Sequence, residues 1–542
     1  MPAPLWRLRR EAPAGLAPWR RLAEDWALDP RAARLAWMRG VDGPEELAWR
    51  IDPAWSRATD PLSLAGAGAA ADRIRRAIAG GEPIVIYGDY DVDGVTATAL
   101  LTRVLEKVGA KASFFIPNRF SDGYGLHLDC IRELKESRGP KLLISVDCGA
   151  RSVEEVAASA ELGMEWIITD HHGLGPALPA CTVVHPHLEG YANPNLSGVG
   201  VAFKLAQALL GDEPAFLDGL LKLVAIGTIA DMVPLKGENA LLVRRGLAAL
   251  GGANGPGLAA LLKAARIEGA PRAQQIAFGV APRLNAVGRM GGAEDAVRLL
   301  LTRDAAEAAR LAARVEQLNL ERRAVQKSLA AQLAPPDGAP FDLALDPSAH
   351  KGVIGIVAGQ RMRDSGKPTA VCTVLDGLAH CSLRAPEGYD LGELLDLARP
   401  FLRSGGGHRL AAGMSFDPSQ LGFLRRALER GAEAQAAKAP PHAVLVDGGA
   451  EDIPDGASLA TLEPFGQGFP PPLARVEGEV IGEPQVFSQG HWRLKVRGLD
   501  GSLTWFSGAE QGRIPPDGPL RVAAAAEDHP RFGRSWRVEA VL

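Results

Sequence analysis

Cysteine is scarce in this chain. There are five in 542 residues, Cys130, Cys148, Cys181, Cys372 and Cys381. The number is odd and no two stand as a CxxC pair, which argues against a disulfide framework or a cysteine-rich metal knuckle and leads us to expect a reducing, cytoplasmic setting. Long apolar runs are lacking too, so no membrane span is expected, and the basic residues near the N-terminus lead into no apolar core of the kind a signal peptide carries. An excess of one charge is also missing. With 60 Lys and Arg against 64 Asp and Glu, the formal net charge is −4. Overall charge therefore offers a polyanion no attraction, and one would have to be held by a local basic channel or through metal ions. Internal repeats and low-complexity tracts are absent.

What is present is the composition of a globular protein too long for one hydrophobic core, so three or four domains are expected. Residues 1–80, rich in Ala, Leu and Arg, read as a helical lead-in without evident chemistry. Residues 81–290 alternate apolar strand-like runs with helical segments, a βαβ rhythm that predicts an open parallel sheet with helices on both faces. Residues 291–335 have the composition of one or two long helices bridging to a smaller α/β region over 336–435. A linker-like stretch over 431–441 leads to residues 441–542, where short β-like runs, Val444 to Val446 among them, suggest a small barrel. Basic and aromatic residues interleave there, including Trp492, Arg493, Trp505, Arg531, Phe532 and Trp536. Such interleaving suits a single strand held by stacking and charge, although some of these rings belong to any barrel's core.

The densest chemistry lies in Ile84 to Thr98. Asp89, Asp91 and Asp93 alternate after a run of β-branched residues, with no basic residue between them. Three carboxylates at the C-terminal end of one strand repel each other and call for a cation, and oxygen ligands of this density suit Mg²⁺ or Mn²⁺. Ligands of open α/β sheets bind beyond the C-terminal strand ends. There, the run Leu142–Val146 delivers Asp147, the run Trp166–Thr169 delivers Asp170, His171 and His172, and a further apolar segment ends at Asp231. Each could be an ordinary cap. Together they suit two divalent ions ~4 Å apart sharing a carboxylate, an apparatus for phosphoester hydrolysis. Gly405-Gly406-Gly407-His408 is either a flexible turn or a place where backbone amides meet an anion.

These residues resemble a known family. Asp91-Val92-Asp93-Gly94, Asp147, Asp170-His171-His172 and Asp231 match in order the four motifs of the DHH phosphoesterase superfamily. Pro282 to Met290, Gly352 to Ala358, Gly405 to His408 with Ala411 to Gly413, and Pro464 to Gly468 are similar to stretches of its bacterial single-strand-specific exonucleases. The resemblance implies a DHH catalytic domain, a DHHA1 domain and a C-terminal OB-fold. It also implies two Mn²⁺ or Mg²⁺ ions on Asp91, Asp93, Asp147, His171 and Asp231, with Asp147 bridging, Asp89 and His172 alongside, and His172 facing the scissile phosphate. Tyr87 stands where many relatives carry a histidine, which makes Asp89 the substitute ligand. Arg119, Arg289, Ser382, Arg384, Gly406, Gly407 and His408 would contact substrate. The implied activity is 5′-to-3′ degradation of single-stranded DNA to mononucleotides in repair and recombination, with a single-strand-binding protein and a RecQ-type helicase as partners. A phosphodiesterase of short oligonucleotides or cyclic dinucleotides, or a non-catalytic strand-binding scaffold, would be built on similar motifs. The barrel weighs against the first, and the intact set of acids and histidines against the second.

Overall fold

In the computed structural model, which describes residues 5–119, 122–123, 125–211, 213–438, 443–487, 490–506, 519–529 and 533–541, the expected parallel sheet is formed by β1 (Ile84–Gly88), β2 (Ala112–Phe115), β3 (Leu142–Val146), β4 (Glu165–Thr169) and β5 (Thr182–Val184). All pairings are parallel and the order is β2-β1-β3-β4-β5. Every residue of β1 and β3 is buried, because helices cover both faces, which is why these strands read as continuous apolar runs. The three-residue β5 was too short to read from the sequence. Helix α1 (Val92–Lys107) starts directly after Asp91, whose side chain caps it, accepting from the amides of Asp93 (2.9 Å) and Gly94 (3.2 Å). Helices α2 (Gly198–Leu210) and α3 (Pro214–Ala230) pack on α1 in the same core, and α4 (Ala281–Met290) follows.

The bridge is two helices, α5 (Glu294–Leu301) and the 28-residue α6 (Ala305–Gln332). The break falls at Asp304, whose carboxylate caps α6 through the Glu307 amide at 2.6 Å. Strands β6 (Asp342–Leu345), β7 (Thr369–Leu375), β8 (Leu378–Arg384), β9 (Ser404–Gly407) and β10 (Ala411–Phe416) then form a second sheet, ordered β9-β10-β8-β7-β6. Helix α7 (Lys351–Ser365) shares a core with Val371 on one face, while Cys372 packs with the helices Leu391–Ala398 and Leu421–Ala436 on the other. Cys372 and Cys381 stand opposite each other on β7 and β8 and are joined by a disulfide. That corrects the reading of the cysteines. An odd count cannot reveal two residues set face to face by a hairpin, and the count no longer argues for a reducing compartment. Among the described residues Cys130, Cys148 and Cys181 are free. The helix Leu421–Ala436 also runs through half of the expected linker, part of which (439–442) lies outside the described residues.

The last domain is a barrel of β11 (Leu473–Gly478), β12 (His491–Leu494), β13 (Ser502–Trp505), β14 (Leu520–His529) and β15 (Gly533–Val541). Their order is β11-β14-β15-β13-β12, with β13 and β15 parallel, and two short strands extend the sheet to seven, Gly448–Gly449 beside β11 and Gln485–Phe487 beside β12. The bridge between Val480 and Val496 joins the continuations of β11 and β12 and closes the ring. This is the five-stranded order of an OB-fold. Two expectations need correction here. The strand Ala443–Val446 is no barrel strand, since it pairs with Leu5–Leu8. Nor is the N-terminal segment a separate lead-in. Leu22, Leu35, Trp37 and Leu47 share a core with Val476, Leu494 and Trp536 of the barrel, while the helix Ala67–Ala79 packs into the first domain. Trp505 and Trp536 are buried in that core, and Arg531 and Phe532 lie outside the described residues.

Candidate metal centre

The parallel sheet delivers its acids to one place. Asp89, Asp147 and Asp170 each follow a strand, and their amides continue the ladder by donating to Val146, Thr169 and Val184 carbonyls at 3.3, 2.9 and 3.3 Å. Asp231 arrives differently. It caps the C-terminus of α3 rather than ending a strand, a distinction that a short apolar run cannot make. Three overlapping groups result: Asp89, Asp91 and Asp147; Asp93, His171 and Asp231; and Asp147, His171 and His172, each with its ligand atoms within 4.8 Å of one another. The Asp147 backbone sits at φ +64°. A non-glycine residue in the left-handed region costs about 1–3 kcal/mol and persists only where its surroundings demand it.

The electrostatics are those of acids crowded together in a buried place. Burial first, and then the charge of neighbouring acids, Asp91 for Asp89 and Asp93, and Asp93 with Asp91 for Asp147 and Asp231, push these four above the usual carboxylate range. His171 Nε2 lies 3.1 Å from Asp147 Oδ1, 3.6 Å from Asp231 Oδ2 and 3.8 Å from Asp93 Oδ2. Burial and the neighbouring His172 hold its imidazole neutral, down to about 3. Buried Asp89 Oδ1, Asp147 Oδ1 and His171 Nε2 have no hydrogen-bond partner among the described residues. Buried polar atoms of that kind need an explanation. Carboxylate oxygens and a neutral imidazole nitrogen converging without donors fit divalent cations.

His172 lies within reach of Asp147 and His171 but differs from them in charge. Its Nδ1 lies 2.8 Å from Asp170 Oδ1, and against the desolvation of its burial this hydrogen bond raises it to about 9. Asp170 is itself locked by the amides of Ala150, His171 and His172 at 2.9, 2.7 and 3.0 Å. A charged imidazole is a poor ligand and a good partner for a phosphate oxygen.

Tyr87 turns away from the acids. It is buried against Phe115 and Trp166, and its hydroxyl donates to the Gly125 carbonyl at 3.3 Å. Asp89, two residues on, carries the group that faces them. The sequence reading missed the N-terminus of α2. Amides of Gly198 and Val199 donate to Asp93 at 2.6 and 2.9 Å, holding it at the positive end of a helix. A Cβ on Gly198 would come within 2.6 Å of Asp147 Cγ, and one on Gly227 within 2.8 Å of Asp93 Oδ1. The Ser197 cap followed by Gly-Val-Gly was the available signal, but its target is a tertiary contact.

Across the cleft the cations gather. Arg289, at the end of α4, donates to the Gly352 carbonyl at the start of α7 at 3.1 Å. Burial, then the charges of Arg119, Arg384 and Arg322, depress it to about 10. Arg119 lies over the Tyr90 ring at 4.8 Å, and Arg384 donates to Ser382 Oγ at 3.1 Å. Arg322, from α6, was not anticipated. Gly406 and Gly407 belong to the exposed edge strand β9 and form no turn, and only His408 reaches the cavity that His172 and Arg151 also line.

Residues 83–228 match the DHH family N-terminal domain and residues 330–434 the DHHA1 domain. The chain is 38% identical over 500 residues to the single-stranded-DNA-specific exonuclease RecJ of Bacillus subtilis, covering 89% of this chain and 63% of that one, so it spans less than two thirds of that relative's length. It is 35% identical to RecJ of Thermus thermophilus, over 99% of this chain and 78% of the other, and 33% identical to that of Escherichia coli, over 88% of each. The crystal structure of Thermus thermophilus RecJ in complex with Mn²⁺ superposes with a TM-score of 0.84 at 31% identity, covering 99% of this chain and 79% of that one, and the complex with Mg²⁺ gives 0.78.

Proposed function

The chain belongs to the RecJ family of single-stranded-DNA-specific exonucleases, and from that premise we propose that it hydrolyses single-stranded DNA from the 5′ end to mononucleotides. The observation that carries this reading is a cluster of buried acids and His171, in which Asp89 Oδ1, Asp147 Oδ1 and His171 Nε2 have no hydrogen-bond partner among the described residues, together with the arginine cluster around Arg289. One side fits divalent ions and the other fits phosphate. Asp89, Asp91 and Asp147 would hold one ion and Asp93, His171 and Asp231 the other, with Asp147 between them. When bound, the ions supply charge neutralisation at the scissile phosphate and a water acidified for attack. The chain's own residues do the rest. The α2 amides fix Asp93, Asp170 keeps His172 protonated to donate to a phosphate oxygen, and Arg119, Arg289, Arg384 and Ser382 hold the terminal phosphate in forked contacts. Roles in repair and recombination, a single-strand-binding protein and a RecQ-type helicase as partners, and a cytoplasmic location belong to the same proposal. Among the described residues no helix is long and apolar enough to cross a membrane.

Digestion of 5′- and 3′-labelled single strands, duplexes and dinucleotides with Mn²⁺ or Mg²⁺ tests it. Mononucleotides should leave the 5′ end of single strands, and Asp147→Ala should lose several orders of magnitude in rate while still binding them. Arg289→Ala should reduce the preference for 5′-phosphate over 5′-hydroxyl ends by roughly ten- to a hundred-fold, with metal affinity unchanged. Release from the 3′ end, equal cutting of duplexes, or normal turnover by Asp147→Ala would overturn the reading.

A further inference from the structure

Strands β1, β3 and β4 deliver Asp89, Asp147 and Asp170 beyond their C-terminal ends, and β5, at the edge of the same sheet, delivers His185. That histidine is fully buried, and both of its ring nitrogens are engaged. Nδ1 accepts from the His187 amide at 3.1 Å, and Nε2 lies 2.8 Å from the carbonyl oxygen of His172. A ring nitrogen that accepts from an amide carries no proton, and a carbonyl oxygen can only accept. The two contacts together therefore assign a neutral ring with its proton on Nε2. The first contact is local. The Leu188 amide donates to the His185 carbonyl at 3.2 Å, closing a turn with Pro186 at its second position, where a proline ring presets the backbone. The second contact is tertiary and reaches back to the end of β4.

The segment that receives this bond carries Asp170, His171 and His172. Its start is tied to β5 by backbone, the Asp170 amide donating to the Val184 carbonyl at 3.3 Å. Its far end is tied by the His185 ring. Between the two ties stand both imidazoles, and their directions matter, because His171 Nε2 lies 3.1 Å from Asp147 Oδ1 and His172 Nδ1 lies 2.8 Å from Asp170 Oδ1. A peptide free to rotate at His172 would swing both. We propose that His185 is a positioning residue, which donates from Nε2 to the His172 carbonyl and so keeps His171 among the acids and His172 turned toward the phosphate. Outer contacts of this kind commonly orient metal ligands. The role is one of orientation, without contact to the reacting atoms, and it rests on the proposed metal-dependent hydrolysis. The competing account, a histidine that only fills the interior, is separated from it by changing the ring while keeping the donor.

The test uses the full-length protein. His185→Leu fills a similar volume without a donor, and at saturating Mn²⁺ it should lower kcat on a single-stranded oligonucleotide by about 10- to 100-fold, with KM within roughly twofold. Its affinity for Mn²⁺ in titration calorimetry should fall by a similar factor. His185→Gln keeps an N–H near the place of Nε2 but gives up the acceptor for the His187 amide, and it should restore both kcat and Mn²⁺ affinity. A purely structural histidine predicts otherwise, since both variants lose the bond to His187 and would share the defect in step with their melting temperatures. The third readout is the ring itself. In metal-free protein with isotope-labelled histidine, the resonance that disappears in His185→Gln should show the Nε2–H tautomer. Equal defects in the two variants, wild-type kcat and Mn²⁺ affinity in His185→Leu, or an Nδ1–H or doubly protonated ring overturns the proposal. Should His185→Leu fail to fold, a folded His185→Gln with lowered kcat and Mn²⁺ affinity overturns it as well, and one that matches wild type and shows the Nε2–H ring upholds it. A wild type that cuts no DNA yet binds Mn²⁺ more tightly than His185→Leu would uphold the positioning role while defeating the functional reading.

Discussion

The pair Asp170 and His172 and the acids beside it carry opposite instructions written by the same burial. Asp170 can remain ionised because three amides and a charged imidazole surround it, and it is held down at about 2. Asp89, Asp93, Asp147 and Asp231 are buried beside further acids, Asp91 among them, so without metal the fold holds protons that an unfolded chain releases near pH 4. The sign follows from linkage. Where the native state binds more protons than the unfolded state, stability falls as pH rises. His172 adds to this, because a group raised from 6.5 to about 9 contributes stability that is complete below pH 6.5 and lost through pH 9. His171, lowered to about 3, weakens the fold only below pH 6.5, outside that window. In EDTA the melting temperature should therefore drop between pH 6.5 and 9, and saturating Mg²⁺ should remove much of the drop by replacing the protons. Scanning calorimetry across that range decides the matter, and a flat or rising metal-free profile would show that the acids carry no such burden.

At the level of elements, the site is assembled by strand ends that the sequence displays and by a helix end that it conceals. The runs before Asp89, Asp147 and Asp170 were legible because strands buried on both faces leave an unbroken apolar signature, and the acids stand where it stops. Gly198 was not legible. Its reason lies 51 residues upstream in sequence, in the side chain of Asp147. The same limit hid the disulfide between Cys372 and Cys381, the pairing of Ala443–Val446 with Leu5–Leu8, and Arg322, which the pattern of α6 offers only as a helix residue. The glycine is testable. Gly198→Ala puts a methyl group against the Asp147 carboxylate, which must move, so affinity for Mn²⁺ should fall by about 10- to 100-fold, the cost seen when the supports of metal ligands are disturbed. Gly219→Ala, on α3 with open space around it, should bind Mn²⁺ as wild type does. Titration calorimetry that finds equal affinity in both variants would mean that α2 is packing alone.

Across the whole molecule, the two ends of the chain are one structural unit. Asp447 lies in the interior and accepts from Arg39 through two parallel bonds of 3.0 Å, from Arg9 at 3.1 Å and from the Leu473 amide at 2.8 Å. Side chains of Arg39 and Asp447 are both fully buried, 408 residues apart. Arg50 extends the connection to the first domain, donating to the carbonyls of Leu462 and Pro464 at 2.8 and 2.6 Å and to that of Leu235. Removing one member of a buried pair strands the other, at about 3–5 kcal/mol, so Asp447→Ala should lower the melting temperature sharply, whereas a surface pair such as Arg21 with Asp25 should be removable with little effect. The same architecture bears on any test of whether the barrel holds DNA. Cutting the chain after residue 435 would leave Leu22, Leu35, Trp37 and Leu47 facing water in place of the barrel core, and such an apolar face is expected to aggregate. Removing residues 1–51 together with those after 438 takes away both halves of that core. The remaining chain should stay soluble, cut short oligonucleotides at rates near those of the full protein, and bind long single strands more weakly with a smaller dependence on salt. Equal affinity of the two proteins for long strands at physiological salt would mean that the barrel takes no part in holding DNA.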